Sequence, residues 1–405
     1  MSPQQQLKLQ NALAVLTLPI YLLLRPLFRL LGWLRKDADG PWVIGGHSGR
    51  IYADNPAALH AYLSEHGPAA YFVASSPDLA RELARMGRRV VRRNSFAARL
   101  ALENAAALIE SHGPSDLDHV LHKTVKLRGV RIHLNHSMNH LKGGEMLRPR
   151  HRSLTLEQQK AAIAAKDPFD FLLASSDRER RNFFLLYPGL EHRIVLGGGA
   201  HIDTFLRARG SNPSRSIVYF PTFRESPEAN ALLDAQIEAL ASSEALATFL
   251  AREDYRFHVV SHVNRRASGA PPTSERFHFA SPSDLNPLVL DAEVLVSDYS
   301  GILCDFLALD RPTVFFPFDL DDYLQHRSLL VSYGELAWGP EVRDVGSLVE
   351  LFTSGRFRDR EAFGERRAYW EREFFPHLAP TYTKECAEMI ERLATEHAKG
   401  TRREA

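Results

Sequence analysis

Short apolar runs alternate with longer amphipathic stretches along most of this chain, and that alternation narrows the fold more than any other feature. A strand covered on both faces has no polar side, so it reads as an unbroken apolar run. Such runs are Trp42–Gly45, Tyr71–Ala74, Ala107–Ile109, Val130–Leu134, Phe169–Ala174 and Arg193–Leu196, with helical stretches such as Pro56–His66 and Asp78–Met86 between them. A second series follows at Ser216–Pro221, Phe257–Ser261, Phe277–Ala280, Val294–Ser297 and Thr313–Phe316, with Asn230–Arg252 and Gly301–Leu309 helical in period. Strands alternating with helices form parallel sheets, and ligands then sit beyond the carboxyl ends of the strands. The expected class is α/β: two doubly wound, Rossmann-type domains facing a cleft. A turn-rich break at Asp37-Ala38-Asp39-Gly40-Pro41 and a second near Leu206–Ser214 divide the chain. The expected parts are 1–36, an N-terminal apolar segment; 37–210 and 211–395, the two domains; and 396–405, a flexible tail.

At 405 residues the chain suits two domains of about 150–200 residues each. Its 50 basic and 49 acidic residues leave a net charge of +1, so no global field draws it to nucleic acid and anion recognition must be local. Cys304 and Cys386 lie far apart in no metal-like spacing, which fits a reducing compartment.

From Leu9 to Leu24 there is no charged residue, and Arg25, Arg29, Arg35 and Lys36 follow. The run is shorter than the roughly 20 residues a span needs. Pro19 and Pro26 are expected to break a spanning helix. The expectation is a peripheral or monotopic anchor on the cytoplasmic face of the cell membrane, its leucines in the lipid boundary and its arginines on anionic head groups. A helix packed on the protein's own core and a single membrane span are the alternatives. The basic clusters Arg148, Arg150, Arg152 and Arg88, Arg89, Arg92, Arg93 fit an anionic partner or a solvated face.

The segment Val294 to Phe306 reads as strand, short polar turn and helix. Free N–H groups at a helix start favour an anion, and Gly301 lets a ligand approach the backbone. Ser300 suits the N-cap, Ser297 and Ser300 can donate to phosphate oxygens, and Asp305 can accept from a sugar or glycerol hydroxyl. An ordinary capped turn explains the same residues. No Asp-x-Asp metal site occurs, and His133, His136 and His140 lack zinc-site geometry, so neither metal nor cofactor is expected.

Ser297-Asp298-Tyr299-Ser300, Asp305-Phe306, Arg311-Pro312 and Phe315 to Asp319 with Tyr323 together resemble the signature of the CDP-glycerol glycerophosphotransferases, which build teichoic acids and related capsule polymers. Val43 to Gly46 with Asp54-Asn55, Tyr219 to Arg224 and Gly198 to Asp203 are similar to further family blocks in the same order, with Ala200 and His201 replacing a family Pro and Arg. His136 matches the histidine of a Trp-His-Gly block and Lys142 a lysine after it, while Asn135 and Ser137 replace the tryptophan and glycine. His262 matches the histidine of a Lys-x-His-Pro-like block, with Val263 in place of proline.

The resemblance implies a two-domain GT-B fold with the acceptor on the first domain and the CDP donor on the second. It implies catalysis by His136 and His262, and donor binding by Ser297, Asp298, Ser300, Gly301, Asp305, Arg224 and Thr222. Lys142 and Asn135 would touch acceptor or phosphate. The donor would be CDP-glycerol or CDP-ribitol, the acceptor a lipid-linked or polymer hydroxyl, and CMP the product. A neutral imidazole such as His136 suits a general base. A nucleotide-sugar glycosyltransferase of the same fold and an inert membrane-bound scaffold of an envelope-polymer complex are the competing readings.

Overall fold

A computed structural model describes residues 3–34, 40–136, 141–143, 154–260 and 274–404. The chain forms two compact units: residues 1–138, 155–203 and 379–405 make the first, residues 139–154 and 204–378 the second.

The first unit carries β1 (Trp42–Ile44), β2 (Ala70–Ala74), β3 (Val90–Arg92), β4 (Ala107–Glu110), β5 (Val130–His133), β6 (Phe171–Ala174) and β7 (Ile194–Leu196). They are ordered β3-β2-β1-β4-β5-β6-β7 and all pair in parallel. The second unit carries β8 (Ser214–Phe220), β9 (Arg256–Val260), β10 (Phe277–Ala280), β11 (Ala292–Ser297) and β12 (Thr313–Phe315), in the parallel order β10-β9-β8-β11-β12. The winding reverses between β1 and β4 in one sheet and between β8 and β11 in the other. The loops leaving the two strands at a reversal run to opposite faces, which opens a crevice at their carboxyl ends.

Three expectations on elements are corrected. β3 escapes the pattern because its apolar run is only Val90-Val91, set among arginines at the sheet edge. The helical period over Asn230–Arg252 is two helices, Pro227–Ala241 and Glu244–Arg252; Ser243 caps the second by accepting from the Leu246 N–H at 3.2 Å. The second unit ends at residue 378 rather than 395, and residues 396–404 continue a helix. A helix from Tyr382 to Glu404 belongs to the first unit, where Cys386, Ile390 and Leu393 pack into the same core as Trp42 and Ile44.

Helix α1 (Pro3–Leu34) runs through both Pro19 and Pro26 without a break. Two interior prolines cost a free helix about 3 kcal/mol each, and packing against the first unit offsets that cost. Ala14, Tyr21 and Phe28 are buried, the two rings in a cluster with Val43, Val73, Leu102 and Leu108. Arg25 and Arg29 do not stand free for head groups: both pair with the buried Glu103, at 2.9 and 2.6 Å, and the Tyr21 hydroxyl joins them. Burial alone would raise the Glu103 carboxyl, but hydrogen bonds from Arg25, Tyr21 and Arg29 outweigh it and hold it below the usual range. The opposite face exposes Leu9, Leu13, Leu16, Ile20, Leu23 and Leu27. Lys8–Leu31 is long and apolar enough to cross a membrane by length and composition.

Candidate functional site

The switch point of the first unit is lined by histidines. β1 ends at Ile44, and two glycines later the chain turns at His47 and Ser48, both with left-handed backbone (φ 50° and 54°). Helix α2 (Asp54–His66) follows, opening on Asp54 at φ 58°. Asn135, just past β5, has φ 58° as well. Half of the eight non-glycine residues with positive φ among the described residues therefore gather here, where strain of this kind marks built sites.

Two side chains pin the loops. Asp116 accepts from the backbone N–H groups of Ser48, Ser111 and His112, at 2.7, 3.2 and 2.8 Å, tying the loop after β1 to the one after β4. Asn55 donates through Nδ2 to the carbonyls of Leu134 and Asn135, while its Oδ1 accepts from the backbone N–H and Nδ1 of His201. Asn135 accepts the His136 N–H at 2.9 Å, and His136 stands exposed at the end of this scaffold. His47 Nε2 meets the Asp54 carboxylate at 2.8 Å. Burial pushes the Asp54 carboxyl up, but the His47 hydrogen bond and the charges of His47, His201 and His136 bring it below its usual value.

In the second unit the turn after β11 is largely self-satisfied. Ser297 is fully buried and its hydroxyl donates to the Phe220 carbonyl at 2.6 Å. Asp298, also fully buried, accepts from the N–H groups of Thr222 and Tyr299 and pairs with Arg224 at 2.9 Å. Arg224 grips Asp319 with two further bonds of 2.6 and 2.7 Å, its guanidinium 5.1 Å from the Tyr299 and Phe318 ring centres. These three residues, expected on the donor, brace the turn through bonds inside the protein. Ser300 does not cap through the usual bond; its Oγ accepts weakly from Ile302 N–H at 3.4 Å, and Gly301 takes ordinary helical angles. Asp305 lies in the first turn of the helix Ile302–Leu307, 6% exposed.

Lys142 falls in the second unit, not with His136 in the first. Its backbone bridges to Leu329, and its Nζ reaches the Thr222 hydroxyl at 3.5 Å. Burial pushes its ammonium down to about 8, against the pull of Asp298. Beside β8 and β11, Thr222, Lys142 and Ser300 thus line the end of the second sheet. His262, Val263, Ser137 and the Arg148–Arg152 cluster lie outside the described residues. Of the other basic cluster, Arg93 is engaged with the Ser115 carbonyl and Asn11 of α1. Sequence reasoning missed His47, His112 and His201 as site residues, though a histidine closely follows β1, β4 and β7 and could have been flagged for that position.

Two doubly wound parallel units, each with polar side chains at its own reversal, define a protein of the GT-B-like class. A solved structure of the wall teichoic acid polymerase TagF shares this fold with a TM-score of 0.68 at 18% identity, covering 98% of this chain and 99% of that one. Residues 40–378 match the CDP-Glycerol:Poly(glycerophosphate) glycerophosphotransferase family, and the chain belongs to it. A teichoic acid glycerol-phosphate primase of Bacillus subtilis (strain 168) is 25% identical over 209 residues, 49% of this chain and 53% of the primase. A teichoic acid poly(ribitol-phosphate) polymerase of Bacillus spizizenii is 25% identical over 142 residues, 35% of this chain and 23% of the polymerase. These matches span from about a quarter to about half of the relatives' own lengths.

Proposed function

We propose that the chain moves a glycerol-phosphate or related polyol-phosphate unit from CDP-glycerol or CDP-ribitol to an acceptor hydroxyl, in teichoic-acid-like or capsule polymer synthesis. His136 takes the proton of the hydroxyl as its oxygen bonds to phosphorus, and CMP leaves with the electron pair of the broken P–O bond. Phosphoryl transfer asks the protein mainly for positioning and charge neutralisation. Lys142, Thr222, Ser300, Gly301 and Asp305 would meet the donor, with His262 at the leaving CMP on the strength of the family resemblance. No cofactor enters the reading. The observation that carries it is an exposed, rigidly based histidine at the end of β5 in a chain of this family. Relatives named for glycerol phosphate and for ribitol phosphate support the polyol class, as does a TagF variant soaked with CDPG.

The test is CMP release from CDP-glycerol and from CDP-ribitol over lipid-linked acceptors. One donor should give turnover, and His136→Ala should lower it by about 10²–10⁴-fold while donor binding persists. No CMP from either donor overturns the reading.

The same reading places the chain on the cytoplasmic face of a membrane as a monotopic protein. An apolar helix face with its polar side held to the first unit fits a helix lying in the lipid boundary.

A further inference from the structure

Behind His136 stands a column of imidazoles. The His112 ring lies 4.6 Å from the His136 ring at 22°, stacked, and 4.2 Å from the His47 ring at 49°. His47 in turn holds Asp54 at 2.8 Å. The column crosses the switch point, with His47 after β1, His112 after β4 and His136 after β5.

The tautomer of His112 follows from its partners. Its Nδ1 faces the Ser111 hydroxyl at 2.8 Å and the His47 backbone N–H at 3.4 Å, and a backbone N–H can only donate. Nδ1 is therefore the lone pair, Nε2 carries the proton and the ring is neutral. Burial keeps it so, pushing the imidazole down to about 3. A neutral ring offers its π face to a cation, and His136 becomes that cation when it takes a proton. Asp54 adds a fixed negative charge within reach of His47, His201 and His136.

We propose that His112 is a positioning residue for His136, holding its ring by stacking and, with the His47–Asp54 pair, stabilising the imidazolium it becomes. This rests on the reading of His136 as the base. Asp54 and the stacked His112 are among the groups facing His136; those facing His112 include His47, His133, Arg50 and Asp116. Loss of the stack removes support from the protonated form, so the pH below which His136 is protonated must fall.

The experiment compares His112→Ala, His112→Phe and Asp54→Asn with the unaltered protein. It follows CMP release across pH and the NMR titration of the His136 ring without substrate. His112→Ala should lower kcat about tenfold with the donor KM unchanged. It should also move the His136 midpoint, and the acid limb of kcat, down by roughly half to one pH unit. Asp54→Asn should move both the same way, and His112→Phe, which keeps a neutral ring in the stack, should recover most of kcat. A His136 midpoint unmoved in both His112→Ala and Asp54→Asn overturns the inference, and the NMR reading needs no turnover. If His136→Ala abolishes CMP release while that midpoint stays put, the column alone is wrong. If His136→Ala keeps full rate, the base assignment itself fails.

Discussion

Arg224 is enclosed by two carboxylates and three aromatic rings, Tyr299, Phe318 and Tyr323, and is 4% exposed. Removing one partner from such a buried group leaves charge with nothing to balance it, which costs about 3–5 kcal/mol. Arg224→Met strands Asp298 and Asp319 together, so its urea-unfolding midpoint should fall by an amount equivalent to that loss. A normal midpoint with weakened donor binding would return Arg224 to the ligand. The residue also shows what a motif conceals. The Ser297–Asp298 turn and the strand end at Arg224 could be located from residue types and order. Whether each polar atom faces outward or a neighbour depends on contacts such as Arg224 with Asp319, 95 positions apart. The histidine column was hidden for the same reason, since His47, His112 and His136 meet only because β1, β4 and β5 are adjacent in the sheet.

At the scale of elements, the parallel pattern was legible wherever a strand is buried on both faces, as in β4, where all four residues are covered. It failed at β3 on the edge, where polar side chains are tolerated. It failed again at α1, whose local sequence argues for a break that tertiary contacts overrule. Those contacts make a prediction about the helix. Leu16 and Leu23 are 71% and 81% exposed, so charging them removes nothing from the core. The double variant Leu16→Glu, Leu23→Glu should keep the unaltered unfolding midpoint yet lose co-flotation with anionic phospholipid vesicles. Undiminished flotation would show that another surface carries the membrane contact. Arg25 and Arg29, spent on Glu103, should add little to that binding.

At the scale of the molecule, the chain gives residues 139–154 to the second unit, builds the rest of that unit from about residue 204, and returns to the first at 379. The return is fastened at one carboxylate. Asp203 accepts from the N–H groups of Tyr382 and Thr383 at 2.9 and 3.0 Å, satisfying donors that a helix start leaves without partners, and the Thr383 hydroxyl donates to the Ala200 carbonyl. The helix then lays Cys386, Ile390 and Leu393 into the core beside β1 and β5. Burying side chains of that size contributes about 1.5–3 kcal/mol each. Removing the three would cost roughly 4.5–9 kcal/mol, a large part of the ~5–15 kcal/mol that holds a domain folded. A chain ending at Leu378 keeps the whole family match, yet its first unit should lose stability while the second keeps its own core. Fluorescence can separate them, because Trp42 reports on the first unit and Trp338 and Trp370 on the second. With single-tryptophan versions of the truncated chain, the Trp42 signal should unfold at lower urea than in the full chain, and the Trp338 signal at the same urea. A common shift of both would mean that the C-terminal helix supports the second unit as well. No shift in Trp42 would mean that the first core closes without it.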